Sequence, residues 1–594
     1  MIELFQKINK RLFKTSVRAI DASLAMLWLS TYGVLLLATL FFFLVLGPAV
    51  ALIFVVMIPA VWLYRRLMKS SFVCAGILLK AAGCVMLAAW LSNNLFGRMP
   101  GMGGTLGYWI DAGIYTAYMA GVLMLLSVGK WTRPVAVMTA LAAAISHPVW
   151  EMTGALVTLD NVETLLGSSM NEGVQFLFAI PAGEYVNPLM LAIFISALIC
   201  CPAPARIRLS RKNMRIAWMF AALGLLVFIK ASPLYDAGRF LLTAMCAEHR
   251  NAEMTWKATG IVHGRGTEQN YIIVMGESMR FDALGVYGNP YDTTPFLSAV
   301  PHKLIERPVS PSGATMAAVP RELAITTGAA RMDIQPQNNV VAFARHALGM
   351  PTYWLSSQQR ETNQGLALAA VAESAEHHFY AKDHDDFALI KEFERILDAD
   401  KSADRRFFVI HTYGAHEPAC ARVEDFGRPF QTGVKGKDWS VPVLANDGFI
   451  DCYLAAARKA DTILAMIAQA LEKRGQTYSV LFTSDHGASF YFKDNDFKCC
   501  RFPDYKELFE VPLIEFGTNV RQTVRVNATR ETNRISDYVP TWLGVTTNLT
   551  EPNYDIFHPG SDEPYTRGEN SELRLYRDLR SFSFKDALRH DGGK

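Results

Sequence analysis

The sequence has almost no net charge. Its 58 Lys and Arg stand against 55 Asp and Glu, leaving +3 over 594 residues. The positive residues are spread along the chain, so the basic footprint of a nucleic-acid-binding protein is missing. Cysteine is scarce as well, nine in all, and no CxxC or HxxxH pair makes a stand-alone zinc signature. There is no internal repeat and no low-complexity tract. The N-terminal arm is basic and runs into an apolar stretch, but no small-residue cleavage site follows as a removable signal peptide requires, so an uncleaved first span is expected. The length exceeds that of one domain.

What the chain does have is a lopsided distribution of apolar residues. Residues 24 to 232 are dominated by Leu, Ala, Val, Ile, Phe and Met, and residues 233 to 594 have ordinary globular polarity. Seven runs approach the length of a membrane-spanning helix: 24–46, 48–63, 71–92, 113–128, 132–150, 187–202 and 215–232. The second is short and carries Pro59, and the fourth and fifth are separated only by "VGKWT", so five spans are also open. With seven, the basic clusters at Lys7 to Arg18, Arg65 to Lys69, Lys130 and Arg133, and Arg206 to Arg215 fall on one side, the cytoplasmic one. The following domain then lies outside the cytoplasm. Expected are a transmembrane helical domain over 1–232, an amphipathic juxtamembrane connector over 233–268, and an extracytoplasmic domain over 269–594. An exported domain permits disulfides, but the five cysteines outside the spans, Cys246, Cys420, Cys452, Cys499 and Cys500, leave the pairing open.

From Tyr271 onward, apolar runs alternate with helical patterns. "YIIVMG", "TYWLS", "RFFVIHTYG", "YSVLFTSDHG" and "VPLIEFG" read as strands, and "NVVAFARHAL" and "DCYLAAARKADTILAMIAQALEK" as helices. The alternation predicts an α/β domain with a mostly parallel sheet covered on both faces. Ligands of such sheets bind beyond the carboxyl ends of the strands. That rule picks out Glu277 and Ser278, then His411 and His416, then Asp485 and His486. Ser278 is a poor nucleophile candidate, because a nucleophile elbow needs G-x-S-x-G and Arg280 stands where the second glycine should be; a helix cap is the plainer role for it. Glu277 with Asp485 and His486 offers the mixed oxygen and nitrogen donors that suit zinc.

"GESMRFDALGVYGNPYDTTPFL" (276–297), "SGATMAAVPREL" (312–323), "TYWLSSQ" (352–358), "HTYGAHEP" (411–418), "FTSDHG" (482–487) and "NYDIF" (553–557) occur in the order and approximate spacing found in bacterial phosphoethanolamine transferases. The chain resembles that family, whose members are membrane-anchored enzymes of the alkaline phosphatase and sulfatase superfamily. The resemblance implies zinc ligation by Glu277, Asp485, His486 and the nucleophile Thr315. It also implies a two-step transfer from phosphatidylethanolamine through a phosphothreonine to a lipopolysaccharide or other envelope glycan. His416 and His411 are implied to contact substrate, as are Lys498, in the region of a later histidine of some relatives, and Asn171 and Glu172, which resemble a donor-holding segment. A monomer in the bacterial inner membrane with its catalytic domain in the periplasm is the corresponding expectation. "MAAVPRELAITTG" reads as a helix, and if Thr315 starts it, the helix N-terminus faces phosphate.

The chain departs from the lipid A type of the family. Ser312 and Arg321 stand where those members have cysteines, and Ala488 follows Asp-His-Gly where many have glutamate. It is thereby closer to members acting on core sugars or glucans. Phosphoglycerol transfer within the same superfamily is an alternative. A sulfatase lacks support, since "SGATMAAVPR" does not supply C/S-x-P-x-R. A lipid-binding protein without catalysis would have no evident need for Glu277, Thr315, Asp485 and His486 together.

Overall fold

The computed structural model describes residues 71–96, most of 116–127, 132–153 and 182–200 in the first part of the chain. In the second it describes 253–358, 366–400, 404–433, 448–493, 496–500, 504–567 and 573–581. These parts belong to two compact units.

In the first unit three long helices, Ser71–Phe96, Arg133–Thr153 and Ala182–Cys200, pack on one another. They coincide with three of the expected spans, and the described residues of a fourth, 113–128, are helical. The runs 24–46, 48–63 and 215–232 lie outside the described residues. Ala192, Ile195 and Ile199 are fully buried on one face of the third helix, while Met190, Ile193 and Phe194 stay exposed on another. Among the described residues one helix, Gly183–Cys200, is long and apolar enough to cross a membrane.

The second unit is built on an eight-stranded sheet. Its order is Val524–Glu531, His302–Val309, Leu513–Gly517, Tyr478–Ser484, Asn270–Gly276, Arg406–His411, Thr352–Ser356 and His377–Tyr380. All strands run parallel except Leu513–Gly517, which is antiparallel to both neighbours. Side chains of a strand alternate between faces. Ile272, Val274, Phe408, Ile410, Val480 and Phe482 therefore enter one core, while Tyr271, Ile273, Phe407, Val409 and Leu481 enter the other. Helices Asp386–Ala399 and Phe449–Glu472 cover the first face; Thr315–Leu323 and Ile535–Trp542 cover the second. Asp385 caps the first of these by accepting the amides of Phe387 at 2.8 Å and Ala388 at 3.1 Å.

Three expectations change. Where an amphipathic connector is expected over 233–268, the described part contains the strand Ala258–Ile261, paired antiparallel with Val545–Thr547. Trp256 is buried and stacks on Phe343 with ring centroids 4.5 Å apart, which ties this segment to the sheet unit; residues 233–252 lie outside the described residues. The helix expected over "MAAVPRELAITTG" stops at Leu323, because Ala324–Thr327 pairs as a strand with Asp333–Asn339. "NVVAFARHAL" opens as a short α-turn and continues as a π-turn.

Cys420 and Cys452 form a disulfide across 32 residues, resolving one pairing that the sequence leaves open. It joins the loop after Arg406–His411 to the first turn of Phe449–Glu472. Closing a loop of that size is worth about 3–4 kcal/mol in the chain-entropy model. The double replacement Cys420→Ser, Cys452→Ser is expected to lower stability by that order in denaturant unfolding; an unchanged midpoint would show that the bridge contributes nothing.

Glu531, at the end of the edge strand, is buried. Burial and the neighbouring Asp562 carboxylate push it up to about 7, against the pull of Arg331 and Arg534. A raised carboxyl pKa means that between about pH 4.5 and 7 the folded chain holds a proton the unfolded chain has lost, so this group's contribution to stability falls as pH rises through that window. Glu531→Gln is expected to stabilise the protein by about 1–3 kcal/mol at pH 8 and by little at pH 4.5. Melting curves at the two pH values check this, and a gain that does not grow with pH contradicts it.

Candidate active site

The parallel strands deliver their polar residues to one edge of the sheet. Gly276 pairs with Ser484, which brings Glu277 beside Asp485 and His486. Met275 and Ser356 both pair with His411, so Gln358 arrives from the adjoining strand. Glu277, Asp485 and His486 are fully buried, and one donor atom from each lies within 4.8 Å of the others. His486 Nε2 is 3.4 Å from Glu277 Oε1 and 3.6 Å from Asp485 Oδ2.

Thr315 is the first residue of its helix, whose cap position is Ala314. Its hydroxyl donates to Glu277 Oε2 at 2.9 Å. The nucleophile candidate and the three metal-ligand candidates thus form one constellation, although Thr315 is 38 residues from Glu277 in sequence. Amides at the helix start and the positive end of the helix dipole lie beside the same hydroxyl.

Local backbone makes this convergence possible. Ser278 sits at φ 55°, a left-handed conformation that turns its amide to Asp485 Oδ1 at 3.0 Å and its hydroxyl to Glu277 Oε1 at 2.7 Å. It does not cap the next helical turn, whose cap is Arg280. Tyr453 accepts the Arg280 amide at 2.9 Å and donates to the Ser278 carbonyl, holding the turn from the helix Phe449–Glu472. Gly414 has φ 47°, and a Cβ there would lie 2.9 Å from the Glu277 backbone; Gly487 admits no Cβ, which would lie 2.2 Å from the Glu507 carbonyl.

The donor set fits a metal ion. Asp485 Oδ2 is buried and accepts no hydrogen bond, an arrangement that costs free energy unless a cation answers it. His486 Nδ1 contacts the Gly487 carbonyl at 2.7 Å, and a proton held there leaves Nε2 as the electron-pair donor toward the carboxylates, as in metal-bound imidazoles. Burial opposes a charge on both carboxyls. Burial and the charge of Glu277 push Asp485 well above the ordinary carboxylate range. Two buried carboxylates this close need a cation or a proton between them.

The remaining expected site residues are less uniform. His416 is half-buried, stacks on Tyr413 at 4.7 Å, and contacts the Glu417 carbonyl through Nδ1. His411 is fully buried at its strand end, packed edge-on against Trp354 and with Nε2 3.0 Å from Gln358 Nε2. It stands behind Glu277, not on an open surface. Lys498 lies on Asp496–Cys500, opposite Tyr491 in an antiparallel ribbon, and its side chain is outside the described residues. Asn171 and Glu172 lie outside them too.

Sequence reasoning passes over three supports: Gln358, Tyr453 and Asp386. Asp386 accepts the Tyr413 amide at 2.7 Å and Ser357 Oγ, so it anchors the loop that carries His416. Gln358 lies two residues past the end of an apolar strand and could be found by the strand-end rule. Tyr453 sits inside an amphipathic helix and Asp386 starts another, where an acidic residue is ordinary, so neither carries such a signal.

A mostly parallel sheet whose strand ends hold a buried Glu, Asp and His beside a helix-starting Thr defines an alkaline phosphatase and sulfatase type of catalytic domain, and residues 269–548 match the Sulfatase family. Phosphoethanolamine transferase OpgE of Escherichia coli strain K12 is 26% identical over 479 residues, covering 73% of this chain and 84% of that protein. A putative phosphoethanolamine transferase of Haemophilus influenzae is 27% identical over 347 residues, with 55% and 68% coverage. The structure of the integral membrane lipooligosaccharide phosphoethanolamine transferase A from Neisseria meningitidis aligns with a TM-score of 0.55 at 14% identity, over 78% of this chain and 96% of that one. The chain thus carries a sulfatase-type domain and is similar over most of its length to phosphoethanolamine transferases, which supports an enzyme of the transferase class.

Proposed function

We propose that this enzyme transfers phosphoethanolamine from phosphatidylethanolamine to an envelope glycan, lipopolysaccharide included, through a phosphothreonine at Thr315. One observation carries the reading: the Thr315 hydroxyl is hydrogen-bonded to Glu277 inside the buried cluster with Asp485 and His486. Glu277, Asp485 and His486, joined by Thr315, would hold zinc. Zinc bound there supplies a lowered hydroxyl pKa and a positive charge against the phosphoryl oxygens.

The chain's own groups account for the rest. Thr315 Oγ1 attacks the donor phosphorus; the bond to the diacylglycerol oxygen breaks, and that oxygen leaves with a proton. The Thr315 hydroxyl proton points along its hydrogen bond to Glu277 Oε2 and is lost to solvent as Oγ1 becomes the nucleophile. Amides at the start of the helix Thr315–Leu323 favour the negative phosphoryl group. In the second step an acceptor oxygen attacks the same phosphorus, the Thr315 ester bond breaks, and Thr315 recovers its proton. His416, the half-buried imidazole of the loop anchored by Asp386, serves the leaving and entering oxygens as acid and base.

The apolar runs and the one-sided basic clusters of the sequence support a catalytic unit outside the cytoplasm, and the exposed Met190, Ile193 and Phe194 suit a lipid-facing helix surface. A periplasmic unit anchored in the inner membrane is where a phospholipid donor and envelope acceptors meet. Mass spectrometry of envelope lipids and glycans from cells with and without the gene tests the reading. A phosphoethanolamine increment that depends on the gene supports it, and a phosphoglycerol increment in its place points to the superfamily alternative.

A further inference from the structure

We propose that Gln358 is a positioning residue that holds the Glu277 carboxylate in its working orientation throughout the two steps. The inference rests on Glu277 being a metal ligand. The carboxylate is gripped at both oxygens: Oε1 accepts from Ser278 and faces His486, and Oε2 accepts from Thr315 and from Gln358 Nε2, each at 2.9 Å. The Gln358 side chain is 8% exposed, and its amide cannot turn over. Its nitrogen also lies 3.3 Å from the Thr412 carbonyl and 3.0 Å from His411 Nε2, so with the oxygen in that place two acceptors, Glu277 Oε2 and Thr412 O, would face a third. Three adjacent strand ends are thus joined through one amide.

Its value appears when Thr315 reacts. Once Thr315 Oγ1 is bonded to phosphorus it has no proton to donate, and Oε2 loses one of its two hydrogen bonds. Gln358 keeps the other, so the carboxylate does not swing away before the acceptor arrives. Without Gln358, Oε2 would then have no hydrogen-bond donor, and only Ser278 on Oε1 and the bound metal would set the angle of the carboxylate.

The test uses the full-length protein in lipid nanodiscs with Gln358→Met, which preserves the approximate volume and removes the donor. Zinc affinity is measured by competition with a chelator, and transfer kinetics with phosphatidylethanolamine. The expected result is zinc binding weakened about 10–100-fold and kcat lowered by a similar factor, with KM for the lipid within about twofold, as loss of a transition-state contribution requires. A folded Gln358→Met protein with parental zinc affinity and kcat overturns the proposal, as does a loss confined to KM, which would make Gln358 a substrate contact. If Gln358→Met does not fold, Gln358→Asn, which keeps the amide but withdraws it by about one bond length, must give the same split. Glu277→Gln in the same assay separates the two ideas. Zinc retained there sinks the metal reading itself; zinc lost there but kept in Gln358→Met sinks only the role of Gln358.

Discussion

Thr315→Ala is expected to abolish transfer, lowering kcat/KM by at least about 10³-fold, while leaving the fold intact. From the helix Thr315–Leu323 this hydroxyl reaches the buried cluster through its hydrogen bond to Glu277, and among the described residues no second hydroxyl is placed to take over its attack. Ser278 is the obvious competitor in sequence, but it is fully buried and its hydroxyl is committed to Glu277 Oε1 at 2.7 Å. Removing the half-buried Thr315 side chain costs about one hydrogen bond, roughly 1 kcal/mol, so the melting temperature should move by no more than about 4 °C. Parental protein incubated with phosphatidylethanolamine should carry the phosphoethanolamine mass on the peptide containing Thr315, and Thr315→Ala should carry none. An adduct on Ser278, or full turnover by Thr315→Ala, removes the mechanism.

The order of events along the chain explains what the sequence discloses and what it hides. Central strands are buried on both faces and read as apolar runs, so Asn270–Gly276, Thr352–Ser356, Arg406–His411 and Tyr478–Ser484 are visible in the sequence, and so are the polar residues at their carboxyl ends. Three strands are not. His377–Tyr380 and Val524–Glu531 form the two edges of the sheet and carry partly exposed side chains, and His302–Val309 interrupts its apolar pattern with Lys303, Glu306, Arg307 and Pro308. Thr315 has no local signature at all, since "SGATMAAVP" reads as a loop and a cap; only the family pattern singles it out, and only the fold brings it to Glu277. Gln358 is within reach of the strand-end rule, but its role is hidden for the opposite reason. It lies inside a motif but its amide acts through another residue, and hydrogen bonds between strand ends are tertiary facts.

The same distinction separates the rival readings. A domain that binds lipid without catalysis needs an apolar or basic surface, and nothing in that task requires two carboxyls and an imidazole to be driven into a fully buried site. Burying Glu277 and Asp485 together raises the free energy of the folded chain. A catalytic cation offsets that cost directly, and the Thr315 hydroxyl placed on the same carboxylate gives the cluster a substrate-facing group.

Removal of the metal or of one ligand is therefore the second large effect expected. Chelator-treated protein should be inactive and should regain transfer on addition of zinc. Zinc at about 100 times its dissociation constant stabilises the protein that binds it by about 2.7 kcal/mol, which corresponds to a melting temperature rise of roughly 4 °C for a domain of this size. His486→Ala deletes the only nitrogen donor of the cluster. Its loss should weaken zinc binding by more than the roughly 10–100-fold typical of an outer-shell partner, and the thermal shift at the same zinc concentration should shrink accordingly. The metal-free proteins make the decisive comparison. In the parent, Asp485 is pushed upward by burial and by Glu277, so without zinc the two carboxyls are relieved by a proton, and added zinc must displace it. Zinc uptake by the parent should release protons measurably in weak buffer. A His486→Ala protein with the parental zinc-dependent shift, or a parent whose melting temperature ignores zinc, would show that Glu277, Asp485 and His486 hold something other than this cation.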